Sequence, residues 1–235
     1  MKGFIKKVAQ RFGHDIVHLP SDPIVRQWLD LMRSNNIEMV FDVGANTGQF
    51  GKKIRSFGYT GSIVSFEPLS DAYDQLQLTA QNDQAWQAVR SGIGHYDGIA
   101  EINVSRNSYS SSLLDILPLH VDSEVDAVYV RKETIIMLKI DSVINQYSRP
   151  GQNIYVKIDA QGFERQVFEG CSQSFDRIKG FQVELSIQQL YEQETLMAEM
   201  IDLLRQAGYK LKLIEGGHRN YETGELLQVE GYFFK

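Results

Sequence analysis

The chain has 235 residues, of which 43% are hydrophobic and 23% charged, so it is long enough to form one large globular domain with its own core. Its formal net charge of −6 argues against a nucleic-acid-binding fold. The single cysteine, Cys171, excludes an intrachain disulfide and a multi-cysteine zinc site.

Residues 1–36 are predicted to form an N-terminal helical segment, ahead of a single domain over residues 37–235. The first twelve residues mix basic and apolar side chains and lack the long apolar core of a signal peptide. This segment could lie on a membrane surface or contact substrate, but we expect a solvated helix whose apolar side packs on the domain. No stretch approaches the roughly 20 apolar residues that span a bilayer. We therefore expect a cytoplasmic protein without a transmembrane segment.

Strands and helices are predicted to alternate along most of the chain. Strand patterns lie near residues 39–42, 62–66, 86–89, 154–158 and 181–185, and helical patterns near 23–34, 50–57, 72–80, 163–169 and 194–207. Two last strands, near 209–214 and 231–234, could pair as an antiparallel hairpin. This alternation predicts a doubly wound α/β fold with a mostly parallel sheet. In such folds ligands bind at the carboxyl ends of the strands, so functional residues should follow strands directly.

Residues 99–150 interrupt the alternation and are predicted to form a small β insertion near the substrate site. Strand-like runs at 101–105 and 134–138 suggest a hairpin, and residues 141–146 suggest a short helix. The serines at 110–112 either line the pocket or belong to an ordinary polar loop.

A loop of small residues follows the first strand and reads Asp42-Val43-Gly44-Ala45-Asn46-Thr47-Gly48. Glycines let a backbone approach a ligand closely, and the N-terminus of the helix after the loop offers free N–H groups. Glu67 ends the next strand, where an acid can accept hydrogen bonds from both hydroxyls of a ribose. Together these features predict an adenosine-type cofactor, and the absence of G-x-G-x-x-G argues against a nicotinamide dinucleotide.

This loop and Phe66-Glu67-Pro68 resemble those of FkbM-type S-adenosylmethionine-dependent methyltransferases. Further blocks resemble the same family in the same order: residues 110–113, 138–143, 156–164, 183–186, 190–191 and 224–228, before the terminal Phe233-Phe234. The central block reads Val156-Lys157-Ile158-Asp159-Ala160-Gln161-Gly162-Phe163-Glu164. The resemblance covers residues 37–235.

The resemblance implies a class I, Rossmann-like methyltransferase fold whose seven-stranded sheet contains one antiparallel strand. It implies S-adenosyl-L-methionine as the cofactor and methyl transfer to a hydroxyl oxygen of a sugar, glycan or natural product. By the same resemblance Asp42 and the backbone of residues 44–48 would hold the methionine end, Glu67 the ribose, and residues 91–93 the adenine. The implied cofactor-binding set is Asp42, Gly44, Ala45, Asn46, Gly48, Phe50, Glu67, Pro68, Ser91, Gly92 and Ile93. Ser91 stands where the family usually has a small apolar residue.

Asp159, Lys157 and Glu184 are the candidate catalytic residues. The protein must align an acceptor oxygen with the methyl group, and a base helps to remove the proton of an alcohol. Asp159 is the first candidate for that base, although it could instead be a structural carboxylate. Lys157 faces the same side of the strand and could pair with an acid, orient substrate or serve as a structural ion. Glu184 could contact substrate hydroxyls or a cation.

Alternatives remain for both the site and the function. His218 is a second candidate base, Glu164 is expected to be structural, and we assign no metal site because no ligand spacing requires one. A nicotinamide-dependent oxidoreductase and a non-catalytic binding module on the same fold are the alternative functions. We expect a small-molecule or glycan acceptor and no nucleic-acid partner, and the sequence leaves the oligomeric state open.

Overall fold

The computed structural model describes residues 22–235, so the basic first twelve residues of the predicted N-terminal helical segment lie outside the described residues. The strands are β1 Met39–Val43, β2 Ser62–Phe66, β3 Trp86–Val89, β4 Gly92–Ile93, β5 Gly98–Ser105, β6 Tyr129–Leu138, β7 Ile154–Ile158, β8 Ile178–Ser186, β9 Lys210–Gly216 and β10 Gln228–Phe234. The helices are α1 Pro23–Ser34, α2 Gln49–Ser56, α3 Ser70–Ala80, α4 Pro118–Ser123, α5 Ile140–Tyr147, α6 Glu164–Glu169 and α7 Met197–Gln206.

Seven strands form the central sheet, in the order β3-β2-β1-β7-β8-β10-β9. β1, β2, β3, β7 and β8 pair in parallel, whereas β10 is antiparallel to both β8 and β9. The predicted doubly wound sheet with one antiparallel strand is therefore confirmed. Strand order reverses between β1 and β7, and in open α/β sheets the crevice at such a reversal is where ligands bind.

Alternate residues along each strand point to opposite faces of the sheet, and helices pack on both faces. On one face, Val40 and Tyr155 join a cluster with Trp28 of α1. On the other, Phe41 and Val156 join a cluster that includes residues of α5, α6 and α7. The strands are consequently apolar at nearly every position, and the polar exceptions stand out.

Helix α1 is tied to the sheet by its apolar side. Asp22 caps it by accepting a hydrogen bond from the N–H of Ile24 at 2.8 Å, and Pro23 occupies the first turn. Trp28 donates its indole N–H to the hydroxyl of Tyr155 at 3.0 Å in the buried core. Among residues 22–235, no helix is both long and apolar enough to cross a membrane.

The insertion forms its own three-stranded sheet, in the order β4-β6-β5. β5 and β6 pair as the predicted antiparallel hairpin, but the sequence did not predict β4, because two residues are too few to establish a period. Helix α5 contributes Ile140, Val143 and Ile144 to the main core. We therefore propose that the insertion ends before α5, rather than at residue 150.

Helix α7 begins at Met197, three residues later than predicted. The carboxylate of Glu194 accepts hydrogen bonds from the N–H of Leu190 and the hydroxyl of Ser186, so it stabilises the preceding loop. Side chains that bond the backbone locally compete with helix formation in this way.

Replacing Tyr155 with Phe should destabilise the fold, because the buried N–H of Trp28 then loses its acceptor. We expect Tyr155→Phe to lower the free energy of unfolding by about 1–3 kcal/mol in urea titrations. The control is Tyr221→Phe, the same change at a side chain that is 84% exposed. Equal stability of the two variants would contradict the importance of this hydrogen bond.

Candidate cofactor and acceptor site

A cavity of about 510 Å³ opens at the carboxyl ends of the central strands. Its volume lies within the range of small-molecule sites. The loops after β1, β2 and β3 form one end of its wall, and residues at the ends of β7, β8 and β10 form the other. The insertion forms the roof.

The backbone N–H groups of residues 44–48 are all used inside the protein. The first two donate to the carbonyl oxygen of Phe66, each at 3.1 Å, and the third donates to Glu67 at 2.8 Å. The remaining two donate to the side chain of Asn46 and to the carbonyl oxygen of Ala45. These five N–H groups are therefore unavailable to a phosphate, whereas the start of α2, where the sequence predicts free N–H groups, has no side-chain cap.

Glu67 links this loop to the end of β2. One carboxylate oxygen accepts from the N–H of Asn46 and the other from the N–H of Leu69, at 2.8 and 2.9 Å. Burial raises the pKa of Glu67 to about 7, although these two hydrogen bonds and nearby Lys157 oppose the rise. Because each carboxylate oxygen can accept more than one hydrogen bond, Glu67 keeps free lone pairs where it lines the cavity.

Ser91 adds an unsatisfied polar atom to the same end of the cavity. It is 1% exposed, and its hydroxyl has no hydrogen-bond partner within the described part of the chain. Buried polar atoms in folded proteins are nearly always paired, so an orphan in a cavity wall suits a polar ligand group.

The ends of β1 and β7 lie in direct contact. Gly44 has φ of +70°, and a Cβ atom there would lie 1.8 Å from the carbonyl oxygen of Asp159. Only glycine fits at this point. The close packing holds the loop after β1 directly beside Asp159.

A row of polar residues crosses the otherwise apolar sheet just below the cavity. Ser65, Asp42, Lys157 and Gln182 occupy neighbouring register positions on β2, β1, β7 and β8. Trp86 donates to the hydroxyl of Ser65 at 3.0 Å, and that hydroxyl donates to Asp42 at 2.9 Å. Nζ of Lys157 lies 3.6 Å from the other carboxylate oxygen of Asp42. The row connects the half of the sheet formed by β3, β2 and β1 to the half that begins with β7.

Lys157 is the buried cation of this row. Its Nζ donates to the carbonyl oxygens of Val43 and Gly44 and, at 3.2 Å, to Asp159. Burial alone would lower the pKa of Lys157, but the carboxylates of Asp159 and Asp42 raise it above its usual range. Lys157 therefore stays charged and holds one oxygen of Asp159.

Gln161 holds the other oxygen of Asp159. Its side-chain NH₂ donates to Asp159 at 2.8 Å and to Glu184 at 2.9 Å, and its side-chain oxygen accepts the hydroxyl of Tyr191 at 2.6 Å. Gln161 has a φ of +53°, in the sparsely populated left-handed region. Such conformations persist where surrounding contacts enforce them, and here they orient two cavity carboxylates.

Glu184 and Glu230 face one another on β8 and β10 as register partners, and both line the cavity. Burial raises the pKa of Glu184 well above its usual range, and Asp159 and Glu230 raise it further. Burial likewise raises the pKa of Glu230, with Asp159 adding to the rise. This end of the cavity therefore holds more carboxyl groups than the single buried lysine can balance.

The roof segment, residues 106–112, contacts the loop after β1 across the cavity mouth. The side-chain amide of Asn46 donates to the hydroxyl of Ser108 at 3.1 Å, and that of Gln49 donates to the hydroxyl of Tyr109 at 2.9 Å. Two hydrogen bonds therefore join the insertion to the loop after β1 and the start of α2.

Comparison with known proteins identifies the family. The model of the Methyltransferase FkbM domain matches residues 42–211, well over half of the chain. The chain belongs to the FkbM methyltransferase family. No curated protein matches it in sequence.

Solved structures similar to this FkbM domain are distant in sequence. WbdD aligns at 14% identity and a TM-score of 0.51, over 90% of this chain and 38% of that one. The METTL16 methyltransferase domain aligns at 7% identity and a TM-score of 0.49, over 93% of this chain and 69% of that one. A Burkholderia thailandensis 1,6-didemethyltoxoflavin-N1-methyltransferase, with S-adenosylhomocysteine bound, aligns at 12% identity and a TM-score of 0.46, over 92% of this chain and 79% of that one. The FkbM domain has the class I methyltransferase fold.

Most residues that the sequence singled out lie in the cavity wall. These are Gly44, Ala45, Asn46, Phe50, Glu67, Pro68, Ser91, Gly92, Ile93, Lys157, Asp159 and Glu184. Asp42 and Gly48 lie outside it. Asp42 is buried in the polar row, and Gly48, with φ of +87°, begins α2 against Leu76 and Thr79.

The other sequence candidates, His218 and Glu164, do not line the cavity. The ring Nε2 of His218 pairs with the hydroxyl of Ser123 at 2.8 Å, outside the cavity wall. Glu164 accepts hydrogen bonds from the N–H groups of Ala160 and Gly162, which is the structural role expected of it.

Sequence reasoning missed Gln161, Gln182 and Glu230. A signal was present for two of them, because Gln182 and Glu230 are polar residues inside otherwise apolar strands. Gln161 gave no such signal, because its importance depends on partners distant in the sequence.

Replacing Gln161 with Met should destabilise this FkbM domain, because Tyr191 loses the closer of its two acceptors, keeping only the carbonyl oxygen of Ser110, and two carboxylates lose a shared donor. We expect Gln161→Met to lower the free energy of unfolding by about 1–3 kcal/mol. Gln87→Met, the same change at an exposed position, is the control in urea unfolding. If the two variants are equally stable, Gln161 does not organise the site.

Proposed function

We propose that this protein is an S-adenosyl-L-methionine-dependent O-methyltransferase acting on a hydroxyl group of a small molecule or glycan. Membership of the FkbM methyltransferase family supports the methyl-transfer part of the proposal. The observation that carries it further is a single cavity with Glu67 and Ser91 at one end and Asp159 at the other. A cofactor and an acceptor oxygen can therefore meet inside one site.

The cofactor end fits an adenosine. Glu67 has free carboxylate lone pairs for two ribose hydroxyls, and the orphan hydroxyl of Ser91 suits a nitrogen of adenine. The loop lacks G-x-G-x-x-G and the N–H groups of residues 44–48 are all used within the protein, which together argue against a nicotinamide dinucleotide and the oxidoreductase alternative. When bound, the cofactor supplies an electrophilic methyl group on a positively charged sulfur. Asp42 and Gly48 would then act indirectly, by shaping the loop.

Asp159 is the proposed general base. Its side chain is 32% exposed at the cavity, so an acceptor hydroxyl can reach it. Lys157 and Gln161 each hold one of its oxygens, which fixes the orientation of the carboxylate. Proton removal by a positioned carboxylate assists attack by an alcohol oxygen.

Removing the carboxylate of Glu67 should weaken cofactor binding. We expect Glu67→Ala to bind S-adenosyl-L-methionine about 10- to 100-fold more weakly, because charged hydrogen bonds to the ribose are lost. Isothermal titration calorimetry measures the change, with Glu222→Ala at an exposed position as the control. Absence of binding to the unaltered protein at millimolar cofactor would refute the proposal.

Cofactor affinity should also depend on pH. Glu67 accepts ribose hydrogen bonds best when ionised, and its pKa is raised to about 7, so affinity should increase as the pH rises through about 7 and then level off. Titrations of S-adenosylhomocysteine across this range test the expectation. The Glu67→Gln variant should bind weakly with a flat profile, and an equally steep profile in that variant would exclude Glu67 as the titrating group.

Asp159→Asn should lower turnover by about 10²-fold while leaving cofactor affinity unchanged. The measurement is methyl transfer to a panel of hydroxylated acceptors, with Asp74→Asn at an exposed position as the control. Unchanged turnover would remove Asp159 as the base. Cofactor binding without turnover on any acceptor would instead favour the non-catalytic binding module.

A further inference from the structure

The acceptor end of the cavity has free hydrogen-bond acceptors but few free donors. Lys157 and the NH₂ group of Gln161 donate all their hydrogen bonds within the protein. In contrast, Oε1 of Glu184 and Oε1 of Glu230 receive no hydrogen bond from residues 22–235. A ligand at this end must therefore bring donors.

Gln182 gives an independent indication of a ligand. It lines the cavity, is 6% exposed and donates its side-chain N–H to Glu230 at 3.0 Å. Its own Oε1 is buried and has no partner in the part of the chain that the structure describes. An unpaired buried amide oxygen costs free energy, which a bound donor would recover.

The charges favour a cationic donor over a neutral one. Glu184 and Glu230 lie directly opposite each other on antiparallel strands, where two ionised carboxylates repel, and Glu230 accordingly contributes to the raised pKa of Glu184. The nearest buried cation, Lys157, already pairs with Asp42 and Asp159. A second positive charge between the two glutamates would remove their repulsion.

The positions of Glu184, Glu230 and Gln182 in the sheet place them at the acceptor end of the cavity rather than at the cofactor end. β10 is the third strand from β1 in the sheet order, and at about 4.8 Å per strand Glu230 lies about 14 Å from the strand that carries the cofactor loop. Glu67 and Ser91 lie on the opposite side of β1, so the acidic pair faces the part of the cavity left for the acceptor.

We propose that the methyl acceptor is a hydroxylated amine, such as an amino sugar, whose ammonium group binds between Glu184, Glu230 and Oε1 of Gln182. The three N–H donors of an ammonium group match the three free acceptor oxygens. Its hydroxyl group is then free to meet Asp159, which adjoins this cluster. The inference rests on the proposed methyl transfer and narrows its substrate class.

Glucosamine and glucose form a matched pair of probes, because they differ only in an ammonium group in place of one hydroxyl. With protein saturated by S-adenosylhomocysteine, we expect glucosamine to bind at least about tenfold more tightly than glucose in calorimetric titrations. Glu230→Gln and Glu184→Gln should each abolish this preference, since both keep the side-chain shape and remove the charge. Glu222→Gln, at an exposed position, should retain it, and thermal unfolding verifies that each variant is folded.

The outcomes separate this inference from the proposed function. If S-adenosylhomocysteine binds but the two sugars bind equally, or neither binds at millimolar concentration, the amine proposal is overturned and methyl transfer stands. If Glu230→Gln weakens binding of S-adenosyl-L-methionine but not of S-adenosylhomocysteine, and glucosamine keeps its preference, the acids serve the sulfonium and the proposal also fails. Failure to bind either cofactor form refutes the proposed function itself.

Discussion

The site depends on one buried cation, Lys157, at the point where the strand order of the sheet reverses. Its three hydrogen bonds reach the two carbonyl groups that begin the cofactor loop and the carboxylate of Asp159. The carboxylate of Asp42 on β1 balances the positive charge of Lys157. Loss of one partner in a buried ion pair leaves an uncompensated charge, which is strongly destabilising. The two halves of the cavity are therefore held in place by the same side chain.

The loop after β1, residues 44–48, is likewise held in place by hydrogen bonds within the protein. Its N–H groups are consumed by Phe66 and Glu67 at the end of β2 and within the loop itself, so its conformation is determined before any ligand arrives. A preorganised site avoids the entropic cost of ordering on binding. Glu67 performs two tasks, because the carboxylate that shapes the loop also faces the cavity.

Much of the fold was predictable because its strands and helices carry strong periodic patterns. The predicted strands 62–66, 86–89 and 154–158 agree with the observed bounds of β2, β3 and β7. The errors fall where local patterns compete with tertiary contacts: the two-residue strand β4, the start of α7 and the role of α5 in the main core. The placement of Asp159 beside the glycine loop was also predictable, since both follow strands of one parallel sheet.

The sequence by itself determined the fold class and the family and predicted the cofactor end, because these rest on patterns within short, contiguous segments. The acceptor end was decided by tertiary structure. Glu184 and Glu230 are far apart in the sequence and meet only because β10 runs antiparallel beside β8. Gln161 gains its role only through partners that folding brings to it. Hydrogen bonds and charge repulsion act over a few ångströms, so their effects appear only when distant segments come together.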